Sequence, residues 1–174
     1  MLILTSILGF LAVITDIISA AQKNRIKLLT IASFSNLLTS FEYVLLGAIS
    51  GAITTGLGLF RNIILSNKEK LSTNIIMYVL MAIYSLIGIL MYDGIISLIP
   101  TIASVIYVNV LWQTNMTFIK KGNVVVYALW FLYDFLVGAY VACVANVIIV
   151  LLAIKDLVIE KNKVKNSKLN ETLA

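Results

Sequence analysis

Apolar residues run along this chain in long blocks, and short polar islands separate them. The islands are "QKNRIK" (22–27), "NKEKLSTN" (67–74), "QTNMTFIKKGN" (113–123) and a polar tail from about Lys155. A helix crosses a hydrocarbon core of about 30 Å with roughly 20 apolar residues. Block 2–21 fits one such span, whereas blocks 28–66, 75–112 and 124–159 are each long enough for two, so each predicts a helical hairpin. A glycine-bearing turn signal lies inside each: "LLGA" at 45–48, "YDG" at 92–94 and "VGAY" at 137–140, the last two with tyrosines suited to a lipid–water boundary. The pattern therefore predicts seven helices.

Composition places those helices in a bilayer. Hydrophobic side chains make up 61% of the chain, charged ones 12%, and the mean hydropathy is +1.03. A soluble domain is about half apolar and about a quarter charged. The first apolar run has no basic residue before it, unlike a secretory signal, and is expected to stay as a mature helix. Cys143 is the single cysteine and histidine is absent, which excludes an internal disulfide and removes the commonest metal ligand and proton shuttle. No nucleophile–base spacing or phosphate-cradling glycine loop is present. The expectation is a non-enzyme with no cofactor and no metal.

The sequence pI is near 9.3, and the positions of the charges give that basicity a membrane reading rather than a nucleic-acid one. With seven spans, Lys23, Arg25, Lys27, Lys68, Lys70, Lys120, Lys121, Lys155, Lys161, Lys163, Lys165 and Lys168 fall on one side, with Arg61 near the same edge. The short turns opposite carry no basic residue. The positive-inside rule then puts the N-terminus outside and the tail in the cytoplasm. That tail, "EKNKVKNSKLNETLA", is expected to be solvated or loosely held by anionic lipid. The bilayer is the expected partner; a homodimer is compatible with the sequence, but no segment specifies one.

Sliding the chain against itself by 91 residues aligns 7–55 with 98–146, with identities at Ala12/Ala103, Gln22/Gln113, Asn24/Asn115, Leu38/Leu129, Leu45/Leu136, Gly47/Gly138 and Ala48/Ala139. The turns and basic islands coincide in that alignment. The expected fold is thus all-α and integral to the membrane: repeat one (2–66), a linker helix (75–92) and repeat two (95–159), with a cytoplasmic tail (160–174). One intervening crossing makes the two three-helix repeats parallel, related by an axis along the membrane normal.

This 3+1+3 plan resembles the SWEET and PQ-loop superfamily. The segments "LLGAISGAITTGLGLFRNII", "LIPTIASVIYVNVLW" and "VVVYALWFLYDFLVGAYVACVANVII" are similar to the YgjV-type bacterial inner-membrane protein family. That resemblance implies a location in the bacterial inner membrane and an architecture, but no substrate. The chain departs from the PQ-loop pattern, because Gln22 and Gln113 follow Ala21 and Trp112 instead of proline. Only Pro100, with Gly9 as its repeat partner, remains as a candidate hinge pair.

Four charged residues fall within the predicted spans. Asp16 and Arg61 lie at similar depth, so either they pair, or Arg61 snorkels to the interface with Asp16 near the boundary. Glu42 and Asp134 each lie four residues from a turn, either as sheltered carboxylates able to exchange a proton or as groups wetted from the outer edge. Asn62, Asn109 and Asn146 could hydrogen-bond a solute or simply join helices, and Trp130 could stack on a solute ring or fill the bundle. Gly47 and Gly51, and Ala139 and Cys143, have the small-residue spacing of close helix contacts; Trp112, Tyr92 and Tyr140 read as interfacial anchors. Together these residues suit a transporter of a small polar solute, working by alternating access between the two repeats. The alternative is a non-transporting scaffold or accessory subunit, which predicts a tightly packed interior with its polar groups satisfied by one another.

Overall fold

The computed structural model describes residues 2–68 and 74–173, with side chains for 4–68 and 74–162. Lys70, and the side chains of Lys163, Lys165 and Lys168, lie outside the described residues. Seven helices follow one another: α1 (Leu2–Ala20), α2 (Arg25–Leu45), α3 (Ile49–Ser66), α4 (Ile75–Leu90), α5 (Ile95–Trp112), α6 (Met116–Val137) and α7 (Tyr140–Leu173). By length and composition, Arg25–Leu45, Ile49–Ser66, Ile95–Trp112 and Tyr140–Asn162 are candidate membrane spans, and Leu4–Ala20 and Ile75–Leu90 are shorter apolar helices. Lys120, Lys121 and Asn123 in the first turns of α6 lower its hydropathy.

Local chemistry sets the boundaries. Asn24 caps α2, its Oδ1 accepting from Ile26 N at 2.9 Å and Lys27 N at 3.2 Å; Asn115 caps α6 in the same way through Thr117 N at 2.8 Å and Phe118 N at 3.3 Å. The cap at Asn115 corrects one expected boundary. Helix α6 starts at Met116, inside the third polar island, so Lys120 and Lys121 ride on its first turns. The expected turns occur where the glycines stand. Gly47 (φ 73°) and Gly138 (φ 82°) take the left-handed conformation after α2 and α6, and Ala48 N and Ala139 N close back on Tyr43 O and Asp134 O at 2.9 and 2.8 Å. Helix α7 runs on through the predicted tail to Leu173, giving 34 residues of continuous helix.

Helix α2 packs between α1 and α3, and α6 between α5 and α7; α1 lies on α7, α3 on α5, and α4 mainly on α5. The outer surface is apolar, with Phe10, Phe34, Phe41, Phe60, Ile89, Ile95 and Phe135 all exposed. Inside, Glu42, Arg61, Asn62, Asn123, Asp134 and Asn146 are buried. This arrangement is the inverse of a water-soluble domain and suits a lipid surround.

The end where α1, α3 and α5 finish carries the basic residues. Arg25 donates to Leu65 O at 2.9 Å and to Leu111 O at 2.7 Å, satisfying last-turn carbonyls of two neighbouring helices. Lys68 donates to Trp112 O and lies 4.6 Å over the Trp112 ring, while Trp112 Nε1 donates to Asn74 at 3.0 Å. Burial and the nearby Arg25 charge hold the Lys68 ammonium below the usual lysine range. Trp112 is therefore turned into the bundle rather than out to the interface, whereas Tyr92 and Tyr140 are exposed. Lys120 pairs with Asp156, and Thr117 with Glu160, clamping α7 to α6.

Candidate functional site

A cavity of about 60 Å³ lies in the middle of the bundle, lined from every helix except α4. Its walls hold three carboxylates, Asp16, Glu42 and Asp134, and one guanidinium, Arg61. Aromatic residues Tyr43, Tyr107, Tyr127 and Trp130 form much of the rest. Polar groups reach the middle of an apolar bundle because every helix that lines the cavity turns at least one polar position inward, α2 and α3 several each, while their other faces meet lipid or neighbours.

Asp134 is fully engaged. Its Oδ1 accepts from the Tyr43 hydroxyl and its Oδ2 from Asn146 Nδ2 at 2.7 Å, which ties α2, α6 and α7 together. Tyr43 also stacks on Trp130, with centroids 6.1 Å apart and planes 12° apart, and meets Tyr133 edge-on at 5.6 Å. Tyr133 in turn accepts from Gly51 N at 3.0 Å and lies 3.2 Å from the Ser50 hydroxyl. A side chain at Gly51 would collide with that tyrosine, so the small-residue site serves the α3–α6 contact.

Glu42 differs. It is 3% exposed, and its Oε2 has no hydrogen-bond partner. Its carboxyl rests on Gly9 of α1, where a Cβ would come within 2.4 Å of Oε1. Gly9 is thus a seat for Glu42, whose carboxyl leaves no room for a Cβ there. Pro100 is buried inside α5 and does not line the cavity.

The expected alternatives for Arg61 both fail. Asp16 and Arg61 line one cavity without forming an ion pair, since α2 separates α1 from α3. Nor does Arg61 snorkel: at 4% exposure it donates from Nε to Asn62 Oδ1 at 3.0 Å, lies 4.7 Å over the Tyr107 ring and is within hydrogen-bonding reach of Tyr84. Asp16 instead has Ser35 beside it. Burial of Glu42 and Asp134 likewise replaces the outer-edge wetting that their nearness to the turns suggests.

Of the other sequence candidates, Trp130 and Asn146 line the cavity. Asn62 is fully buried behind Arg61, and its Nδ2 is unpartnered. Asn109 is exposed on α5, with Nδ2 4.0 Å from Met77 Sδ of α4. Sequence reasoning missed Tyr43, Asn36, Thr39, Thr54, Thr55, Tyr107 and Tyr127, all on the cavity wall. The shift of 91 residues held a signal for four of them, because it sets Tyr43 against Asp134, Tyr107 against Asp16, Thr39 against Trp130 and Thr55 against Asn146.

No curated protein and no solved structure matches the chain. A family profile does, over residues 3–158, and it describes a bacterial inner membrane protein. With apolar helices around a polar interior and a profile covering most of its length, the chain belongs to the Imp-YgjV family of bacterial inner membrane proteins.

Proposed function

We propose that this inner-membrane protein carries a small polar solute across the bilayer, using a central site shared by two parallel three-helix repeats. The repeats are α1–α3 and α5–α7, with α4 as the linker, all seven helices crossing the membrane, the N-terminus outside and the tail in the cytoplasm. The observation that carries the reading is a cavity deep in the bundle whose lining includes Glu42, a residue with a buried, unpartnered Oε2. A scaffold would gain nothing from leaving a buried carboxylate oxygen unpaired, which costs stability.

Several features support the repeat. Equivalent asparagines cap α2 and α6, and equivalent glycines turn α2 into α3 and α6 into α7. The contacts α1 on α7 and α3 on α5 exchange under the same equivalence. Seven pairs of residues 91 apart line the cavity with both members, among them Asp16/Tyr107, Asn36/Tyr127, Thr39/Trp130 and Thr55/Asn146. In another of those pairs, Tyr43 hydrogen-bonds directly to its equivalent Asp134, as expected for residues beside a pseudo-twofold axis.

At about 60 Å³ the cavity holds a few water-sized groups, well below the roughly 300 Å³ at which small-molecule pockets begin. On this reading a solute of sugar size requires the two repeats to rock apart. Uptake into proteoliposomes, tested with sugars, nucleosides and small amines, is expected to show saturable flux for one class. Absence of flux and of binding across the panel would remove the transport reading. The orientation is tested separately with Asp93→Cys in the α4–α5 turn. It is expected to react with an impermeant maleimide in intact cells, and reaction only after lysis would reverse the assignment.

A further inference from the structure

We propose that the cavity binds a small organic monocation, a protonated primary amine of about four heavy atoms, with Glu42 Oε2 as its charge partner. The inference rests on the reading of the cavity as a solute site and adds the chemical class of the solute.

Charge gives the sign. Asp16, Glu42 and Asp134 face one cavity with Arg61 as the lone guanidinium, and each carboxylate lies within electrostatic range of another. Arg61 turns its Nε to Asn62 and its face to the Tyr107 ring, and both oxygens of Asp134 accept, from Tyr43 and Asn146. Glu42 alone of these is a cavity-lining residue with a buried oxygen that has no donor. Such an oxygen calls for a donor, preferably a charged one, because a charge-assisted hydrogen bond offsets the cost of keeping the carboxylate out of water.

Shape and chemistry narrow the class. Among the described residues, no three carboxylates, cysteines or histidines converge as metal ligands, so the negative charge is spread along the wall and not focused on one point. An ammonium suits this distribution, since its three N–H donors diverge and reach separate acceptors. The stacked Tyr43 and Trp130 beside Glu42 provide π faces for the cation and an apolar surface for a short alkyl stem. The volume of about 60 Å³ corresponds to roughly four to six water-sized groups, which matches propylammonium.

The test uses the full chain in nanodiscs of phosphatidylcholine and phosphatidylglycerol, in phosphate buffer, so that no other amine competes. Calorimetric titration with propylammonium is expected to saturate, and propan-1-ol and propionate are expected to bind at least about tenfold more weakly. Glu42→Gln, with folding checked by thermal unfolding, is expected to weaken amine binding by about ten- to a hundredfold. Asp93→Asn, which removes an exposed carboxylate outside the cavity wall, should change it by less than about threefold. Should Glu42→Gln not fold, Gly9→Ala tests the same claim with the charge retained, by displacing the carboxylate from its seat. Equal binding of the alcohol, tighter binding of propionate, or no saturable binding of the amine would overturn the proposal. Amine binding without flux would keep the cation site and remove transport; flux of a neutral solute without amine binding would do the reverse. Adding phosphatidylethanolamine to the discs separates two sources of the same ammonium chemistry: competition points to a lipid headgroup, and its absence to a free amine.

Discussion

Toward the end of the bundle that carries the basic residues packs a broad apolar layer that includes Leu28, Leu29, Leu65, Val108, Leu111, Ile119 and Val126. Toward the hairpin-turn end packs a much smaller group, Tyr43, Ala52, Tyr133 and Ala139. The materials differ as well as the extent. The broad layer is held by side-chain packing and pinned above by Arg25 and Lys68, whereas the small one depends on tyrosine hydroxyls bonded to Asp134, Gly51 and Ser50. Packed side chains must all move together to open a path, but a tyrosine can swing once its few hydrogen bonds are exchanged. On the transport reading proposed above, the turn end is therefore expected to open more readily than the basic end.

That contrast can be broken starting from the basic end. Arg25→Ala removes two charge-assisted bonds and leaves the carbonyls of Leu65 and Leu111 short of a donor, with an expected loss of about 2–3 kcal/mol. Chemical unfolding in detergent micelles would read it, and an unchanged midpoint would show that the guanidinium is not pinning that end. Leu65→Ala, at 0% exposure, is expected to cost about 2 kcal/mol. This is the low end of core truncations, because between helices in lipid the loss is mainly of packing. Tyr133→Phe is expected to cost least, about 1 kcal/mol for its contacts with Gly51 and Ser50. It should nevertheless raise maleimide labelling of the buried Cys143 near the same end more than either basic-end substitution does. Labelling that rises most with Arg25→Ala would reverse that expectation.

The helices were legible because lipid enforces a length and the turns need particular residues. Blocks near 20 or 40 residues, and glycines at 47, 94 and 138, located all seven helices and three turns. The start of α6 was misplaced because polarity was taken to mean loop, although Asn115 caps a helix whose first turns tolerate Lys120 and Lys121 at the bundle end. The site was legible in part. Charges inside apolar spans drew attention to Asp16, Glu42, Arg61 and Asp134, and the structure brings all four to one cavity. Their partners were not legible, because depth along a helix says nothing about which helices touch. With α2 between α1 and α3, Arg61 meets Tyr107 of α5 instead of Asp16. The role of Gly9 was hidden for a related reason: only the packed bundle reveals the carboxyl that lies across it.

The length of α7 reaches beyond the bundle. Its 34 residues measure about 51 Å at about 1.5 Å per residue, while the hydrocarbon layer is about 30 Å thick. About 20 Å of the helix exceeds that thickness, so a fluorescent tag fused after it is expected to ride on a stiff rod instead of drifting on a tether, which fluorescence anisotropy would check.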